Sequence, residues 1–219
     1  MKDKVNIVLL PGWNNNSKSM KIFKDKLNRF ASLHFIDLPI LLNDKSLNIE
    51  DYVDYLHKKI NHLDNVFILG HSFGGKIASF YALKYKVNGL ILIAPSTYIK
   101  RSFRVKIKLL INNLFNKLHL PKPEFLKGSN DYKKLSAKEK KTFNNVLKYL
   151  SKNELSSLSI PILIIGFNND NQVKTSDIKY LNKYIRNSNM HLFPGDHFGY
   201  FENIYEISYL IGDFIYENN

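Results

Sequence analysis

Residues 66–75 read VFILGHSFGG and decide the fold, because they join a buried strand to a helix through a serine flanked by glycines. The first four residues are apolar and suit a parallel strand, and helical periodicity follows from Phe73 onward. The pentapeptide GHSFG matches G-x-S-x-G, a motif that exposes a serine hydroxyl on a sharp strand-to-helix turn. We therefore interpret Ser72 as a candidate nucleophile; the alternative is a glycine-rich turn with an incidental serine.

Short apolar segments alternate with helical ones on both sides of this motif. The strand segments are 5–10, 33–37, 66–69, 89–94, 160–165 and 189–193. The helical segments are 19–30, 49–63, 73–86, 176–186 and 205–216. This alternation predicts an α/β fold whose mostly parallel sheet of about six strands is covered by helices on both faces.

Residues 97–159 interrupt the alternation and favour two or three helices, roughly at 103–118 and 137–150. The segment follows one strand and precedes another, so it projects from the carboxyl edge of the sheet, where open α/β folds bind ligands. We expect a helical cap, or lid, inserted into a single domain that spans residues 1–219.

Composition excludes several classes of function. The chain has 219 residues and no cysteine, which rules out thiol catalysis and thiolate metal sites and fits a reducing, cytoplasmic compartment. Residues 1–12 lack the apolar length of a signal peptide, and no apolar run approaches a membrane span. We find no histidine and carboxylate cluster with metal-ligand spacing, no G-x-G-x-x-G and no P-loop, so we expect neither a metal nor a nucleotide cofactor.

The net charge of +13 is concentrated in the middle of the chain. Residues 1–99 carry +5, residues 100–152 carry +12 and residues 153–219 carry −4. The 103–118 helix is basic and amphipathic. Its lysines either form a solvated face or meet an anionic partner, which would be an acidic acyl carrier or an anionic lipid surface. Nucleic acid is a weaker option, because no binding module accompanies the charge.

Four segments together resemble the α/β-hydrolase family over nearly the whole chain: GHSFG at 70–74, LLPGW at 9–13, DLP at 37–39 and IPILIIG at 160–166. The resemblance implies a compact member that lacks the two leading strands and carries the 97–159 cap. It also implies a catalytic serine, acid and histidine in that order, with Ser72 as the nucleophile.

His197, in the loop PGDHF at 194–198, has the family's histidine position. Of the other histidines that follow Ser72, His119 lies in the cap and His191 inside a strand. The histidines up to the motif are expected to be structural; they are His34, His57, His62 and His71.

Asp170, in GFNNDNQV at 166–173, resembles the family's acid position. Its distance from Gly166 in the sequence is one residue longer than is common in the family. Asp177 is the next candidate, and it is expected near a helix start. Asp196 adjoins His197 too closely to orient that ring easily.

The resemblance assigns the oxyanion hole to the backbone N–H groups of Trp13 and Phe73. It implies a serine hydrolase acting on a small acyl ester or thioester, with a carboxylesterase as the leading hypothesis. The alternatives are a monoacylglycerol or lysophospholipid lipase at an anionic membrane surface, and a hydrolase-fold protein that binds without catalysis.

Overall fold

A computed structural model of the protein describes residues 5–13, 15–98 and 134–219. Its main feature is a six-stranded sheet in the order β2-β1-β5-β6-β7-β8, in which every neighbouring pair is parallel. The strands are β1 (Asn6–Leu10), β2 (Ser32–Phe35), β5 (Val66–His71), β6 (Gly89–Ile93), β7 (Ile162–Phe167) and β8 (Ser188–Phe193). The predicted strand number and parallel direction are confirmed.

Helices connect the strands. A 3-10 helix (Ser17–Phe23) leads into α1 (Lys24–Leu27), followed by α2 (Ile49–Ile60), α3 (Phe73–Lys84), α4 (Ala137–Asn145), α5 (Lys152–Ser157), α6 (Thr175–Tyr184) and α7 (Ile204–Glu217). Within the described residues, no helix combines the length and the apolar character needed to cross a membrane.

The period-2 alternation of the strands divides the core into two parts. On one face, Val66 and Ile68 of β5 pack with buried residues of α2, α3 and α6. On the other face, Phe67 and Leu69 pack with the 3-10 helix, α1 and α7. We call these the α2–α3 face and the α7 face. Burying each such side chain contributes about 1.5–3 kcal/mol.

Helix α2 shows how local sequence makes these elements. Asn48 and Asp51 form a reciprocal capping box at its start, with the Asn48 side chain accepting from the Asp51 N–H at 2.9 Å. Buried residues then recur at the spacing of a single helix face; they are Ile49, Tyr52, Val53, Leu56 and Ile60.

The largest differences from the predicted helices occur in two segments. The 19–30 segment forms the 3-10 helix and the four-residue α1, because Asn16 and Ser19 side chains bond to nearby backbone groups at its start. Helix α4 ends at Asn145 instead of residue 150. Beyond it, the Val146 carbonyl accepts from a lysine of α3 and the Leu150 N–H donates to Thr97.

A small hairpin was not predicted. β3 (Leu41–Leu42) pairs with β4 (Lys45–Ser46) through a turn whose central residues, Asn43 and Asp44, have φ values of 50° and 59°. Such left-handed pairs suit tight hairpins, but two-residue strands carry no alternation that a sequence pattern could detect. The predicted cap helix at 103–118 lies outside the described residues, so the extent of the cap stays a prediction.

Candidate active site

Ser72 occupies a strained turn between β5 and α3. Its φ and ψ are 51° and −110°, a combination that costs a non-glycine residue on the order of 1–3 kcal/mol. The surrounding backbone holds it in place: its N–H donates to the Ile93 carbonyl at 2.9 Å, and its own carbonyl accepts from Ser96 at 3.0 Å and Lys76 at 3.2 Å. Strain maintained by three backbone hydrogen bonds is what the motif requires of a nucleophile.

Glycines on either side of Ser72 permit this turn. A Cβ atom on Gly70 would lie 2.5 Å from the Gly75 nitrogen, and one on Gly74 would collide with the carbonyl oxygens of Leu10 and Pro11. The start of α3 therefore packs directly on the end of β1. This arrangement brings the loop after β1 next to the serine.

His197 and Asp170 form a buried pair on adjacent loops. His197 Nδ1 lies 2.7 Å from Asp170 Oδ2. The loops follow β8 and β7, which are sheet neighbours, and the loop backbones bond to each other from Asn169 N–H to the Gly195 carbonyl at 3.0 Å. The one-residue-longer gap before Asp170 thus does not keep the acid from the histidine.

The environment of Asp170 favours its charged form. Burial raises the pKa of this carboxyl, but the hydrogen bond from His197 and the backbone N–H groups of Val173 and Gln172 outweigh burial, so the net pKa is lowered. The two N–H groups donate to Oδ1 at 2.9 and 2.7 Å. A carboxylate at Nδ1 requires the proton on Nδ1, which leaves Nε2 of His197 with its lone pair, as a general base needs.

The alternative acids accept hydrogen bonds from other groups. Asp177 caps α6, where Oδ2 accepts from the Lys174 N–H at 3.2 Å, and Asp196 Oδ1 accepts from the Phe198 N–H at 2.7 Å. His191 is exposed on β8. His119 lies outside the described residues.

Trp13 and Phe73, the predicted oxyanion-hole residues, lie on neighbouring loops beyond the ends of β1 and β5. Leu10 of β1 pairs with Gly70 of β5, so the loops that follow these strands emerge side by side. Phe73 is the first residue of α3, and the N–H groups of a first helical turn have no acceptor within their helix. The rings of Trp13 and Phe73 are in edge contact, with centroids 5.2 Å apart.

Helix α4 lies within the described part of the predicted cap (residues 97–98 and 134–159) and contacts this loop. The Phe143 ring meets Trp13 edge-on at 5.5 Å between centroids. Thr142 Oγ1 accepts from the Leu47 N–H at 2.9 Å in a buried contact, and the exposed Lys148–Glu50 pair is 3.1 Å apart. The sequence did not reveal Phe143, because nothing in α4 marks which of its residues faces the loop at 11–13.

His71 is a second residue whose place at the site was not predicted. It was expected to be structural only, yet its Nε2 lies 2.9 Å from the backbone carbonyl of His197. Burial, with a smaller contribution from His197, lowers the pKa of His71 to about 4, so its ring is neutral near pH 7. No group of three potential metal-binding side chains occurs among residues 5–13, 15–98 and 134–219.

Comparisons with known proteins show which family and fold this chain resembles. Residues 42–195 match the family described as serine aminopeptidase, S33. A Mycoplasma pneumoniae protein named "Putative esterase/lipase 3" is 28% identical over 163 residues, which are 65% of this chain and 59% of that protein. The match thus spans less than two thirds of that relative's length.

Among solved structures, MenH from S. aureus has a TM-score of 0.75 at 20% identity and covers 100% of this chain and 96% of its own. A thermophilic esterase from Thermogutta terrifontis has a TM-score of 0.71 at 16% identity, covering 97% and 90%. These similarities confirm the α/β-hydrolase fold. The chain belongs to the serine aminopeptidase S33 family of α/β-hydrolases.

Proposed function

We propose that this protein is a serine hydrolase that cleaves carboxylic esters or thioesters through an acyl intermediate on Ser72. The observation that carries the proposal is the buried 2.7 Å hydrogen bond between His197 and Asp170, on loops next to the strained turn that presents Ser72. A serine hydroxyl is a weak nucleophile and needs a base whose ring is oriented by a third group. His197 supplies that base, and Asp170 is the acid that orients its ring.

The first half-reaction forms the acyl-enzyme. Ser72 Oγ attacks the substrate carbonyl carbon while its proton passes to Nε2 of His197, and the carbonyl oxygen becomes an oxyanion. When the tetrahedral intermediate collapses, the bond to the leaving alkoxide or thiolate breaks and His197 returns the proton to that group. In the second half-reaction, water attacks the acyl carbon and passes a proton to His197. The bond to Ser72 Oγ then breaks, and His197 returns the proton to Oγ, which releases the carboxylic acid and free Ser72.

The backbone N–H groups of Trp13 and Phe73 would stabilise the oxyanion. Removing one such donor costs about 3–4 kcal/mol in related chemistry. Phe73 also begins α3, a 12-residue helix whose N-terminal dipole favours negative charge. Both donors are backbone groups, so the Pro11 and Gly12 of this loop are compatible with the role.

A carboxylesterase is the leading hypothesis for the bond that is cleaved. The relative named as an esterase/lipase supports ester cleavage, whereas the family description, serine aminopeptidase, favours a peptide bond at an amino terminus. The same residues could serve either reaction. A chain-length series of p-nitrophenyl esters, an acyl thioester and an aminoacyl p-nitroanilide would separate the three.

The +12 net charge of residues 100–152 supports a second candidate. In this hypothesis the protein is a monoacylglycerol or lysophospholipid lipase at an anionic membrane surface, or it takes its acyl group from an acidic carrier. In this hypothesis that positive charge lies beside the site and raises the local concentration of either partner. The substrate itself would still be the acyl ester that Ser72 attacks.

Labelling with a fluorophosphonate probe tests the enzymatic proposal directly. We expect rapid labelling at Ser72 and its loss in Ser72→Ala, because only a base-activated serine beside an oxyanion hole reacts quickly. Ser79→Ala is the matched control: this buried serine of α3 donates to the Gly75 carbonyl at 2.8 Å and should leave labelling unchanged. Equal labelling of Ser72→Ala would favour a hydrolase-fold protein that binds without catalysis.

A further inference from the structure

His71 lies between the two loops that flank Ser72, and it is almost fully buried, with 1% of its surface exposed. Its Nε2 is 2.9 Å from the carbonyl oxygen of His197. A carbonyl oxygen only accepts hydrogen bonds, so Nε2 carries the proton of this neutral ring. The bond fixes the backbone of the residue that supplies the base.

The opposite side of the ring contacts the loop after β1. A Cβ atom added to Gly12 would lie 3.1 Å from His71 Nδ1 and 3.6 Å from its Cε1. The ring therefore packs against the residue immediately before Trp13. A Cβ atom at position 12 would require the ring or the loop to shift by a few tenths of an ångström.

Aromatic side chains close the remaining sides of His71. The Tyr200 ring lies 5.0 Å away between centroids, the Phe198 ring 5.3 Å and the His197 ring 4.9 Å. The described titratable groups that face His71 are His197, Asp170 and Tyr200. In this packing the ring has little freedom to rotate, so its two edges hold a constant geometry.

We infer that His71 is a positioning residue, which holds the His197 loop and the 11–13 loop at a fixed separation on either side of Ser72. The inference rests on the proposed function, because the loops so held carry the base and a proposed oxyanion donor. His71 itself transfers no proton. Its neutral ring donates one hydrogen bond with Nε2–H and presents its Nδ1 edge to Gly12.

Two amide variants of His71 distinguish the hydrogen bond to the His197 carbonyl from the general effect of a polar side chain at this position. In His71→Gln the side-chain nitrogen reaches the position of Nε2, whereas in His71→Asn it reaches only the position of Nδ1. We expect His71→Asn to lower kcat for a p-nitrophenyl ester by about 10- to 100-fold with KM within about twofold, because misplacing a catalytic group by 1 Å costs about 100-fold. We expect His71→Gln to restore kcat to within about fivefold of the wild type.

His57→Asn is the control for loss of a histidine ring. His57 bonds to Tyr81 OH at 3.2 Å and stacks on Tyr85 at 3.8 Å, near Val66 at the other end of β5. We expect its kcat to match the wild type. An unchanged kcat in His71→Asn, or an equal loss in His57→Asn, would overturn the inference.

An NMR readout keeps this test separate from the proposed function. The proton between His197 Nδ1 and Asp170 should give a downfield signal in the wild type and in His71→Gln, and should exchange faster in His71→Asn. Absence of labelling at Ser72 would remove the proposed function, yet this signal would still report on positioning. An identical signal in both amide variants would overturn the positioning role whether or not the protein hydrolyses esters.

Discussion

Acidification should destabilise the folded protein through His71. The folded protein holds the pKa of His71 at about 4 because the ring is buried, whereas the unfolded chain exposes a histidine with the ordinary value of 6.5. Between these values the unfolded state binds more protons than the folded state. The free energy of unfolding therefore falls as pH falls from 6.5 toward 4 and is fully retained above that range.

The size of the effect follows from the two pKa values. Proton uptake by the unfolded chain at this one site lowers the free energy of unfolding by about 1 kcal/mol at pH 6 and about 2 kcal/mol at pH 5, relative to pH 8. Asp170 does not enter this range, because its pKa is lowered from 3.8 and its stabilisation is lost only at more acidic pH. His71→Gln removes the titrating ring and with it this part of the pH dependence.

Urea unfolding at pH 7, 6 and 5 measures the difference, with the fluorescence of Trp13, the single tryptophan, as the signal. His71→Gln is expected to be the less stable protein at pH 7, and its gap from the wild type should narrow by about 2 kcal/mol at pH 5. Tyr200→Phe is the control, since it alters a ring against His71 whose phenol stays neutral in this range. A gap that is the same at pH 7 and pH 5 would refute the assignment of a buried, neutral His71.

Three further predictions concern the site and its surroundings. Asp170→Asn should lower kcat by about 10⁴-fold through loss of tautomer control, while Asp177→Asn, which changes only a helix cap, should retain turnover within a few-fold; steady-state kinetics and circular dichroism check both. Phe143→Leu should reduce kcat/KM by about 2- to 10-fold, the worth of its edge contact with Trp13, and Phe143→Tyr should not. If residues 100–152 steer an anionic partner, raising salt from 0.1 to 1 M should reduce kcat/KM for an acyl group on an acidic carrier or anionic vesicle. The kcat/KM for a neutral p-nitrophenyl ester should not change. The same salt dependence for both substrates would mean that those lysines only form a solvated face.

Sequence patterns were sufficient for the parts of this fold that repeat. Apolar runs marked the central strands β1, β5, β6 and β7, because a parallel strand buried on both faces has few polar positions. The edge strands β2 and β8 also carry polar residues, such as His34 and His191. The sequence patterns did not predict the end of α4, where the backbone groups of Val146 and Leu150 form hydrogen bonds with residues far away in the chain. Hydrophobic periodicity carries no information about such partners. The hairpin at 41–46 is too short to show alternation.

The proposed site divides in the same way. Ser72 and His197 could be chosen because each lies in a loop motif, and Asp170 because it follows a strand in a recognisable order. The contact of Phe143 with Trp13 could not be predicted, because it depends on how the segment after residue 133 returns to the sheet. Its spacing on α4 is compatible with several orientations of that helix.

His71, in contrast, left a signal in the sequence. Side chains along β5 alternate between faces, so His71 shares the α7 face with Phe67 and Leu69, whereas Ile68 belongs to the α2–α3 face. The chain that follows β8 must cross toward the α7 face to begin α7, and His197 lies on that crossing. A polar ring one residue before the serine is therefore directed at the loop that carries the base. The side-chain alternation along β5 and the direction of the chain from β8 to α7 together select residue 71 as the contact between β5 and the loop that carries His197.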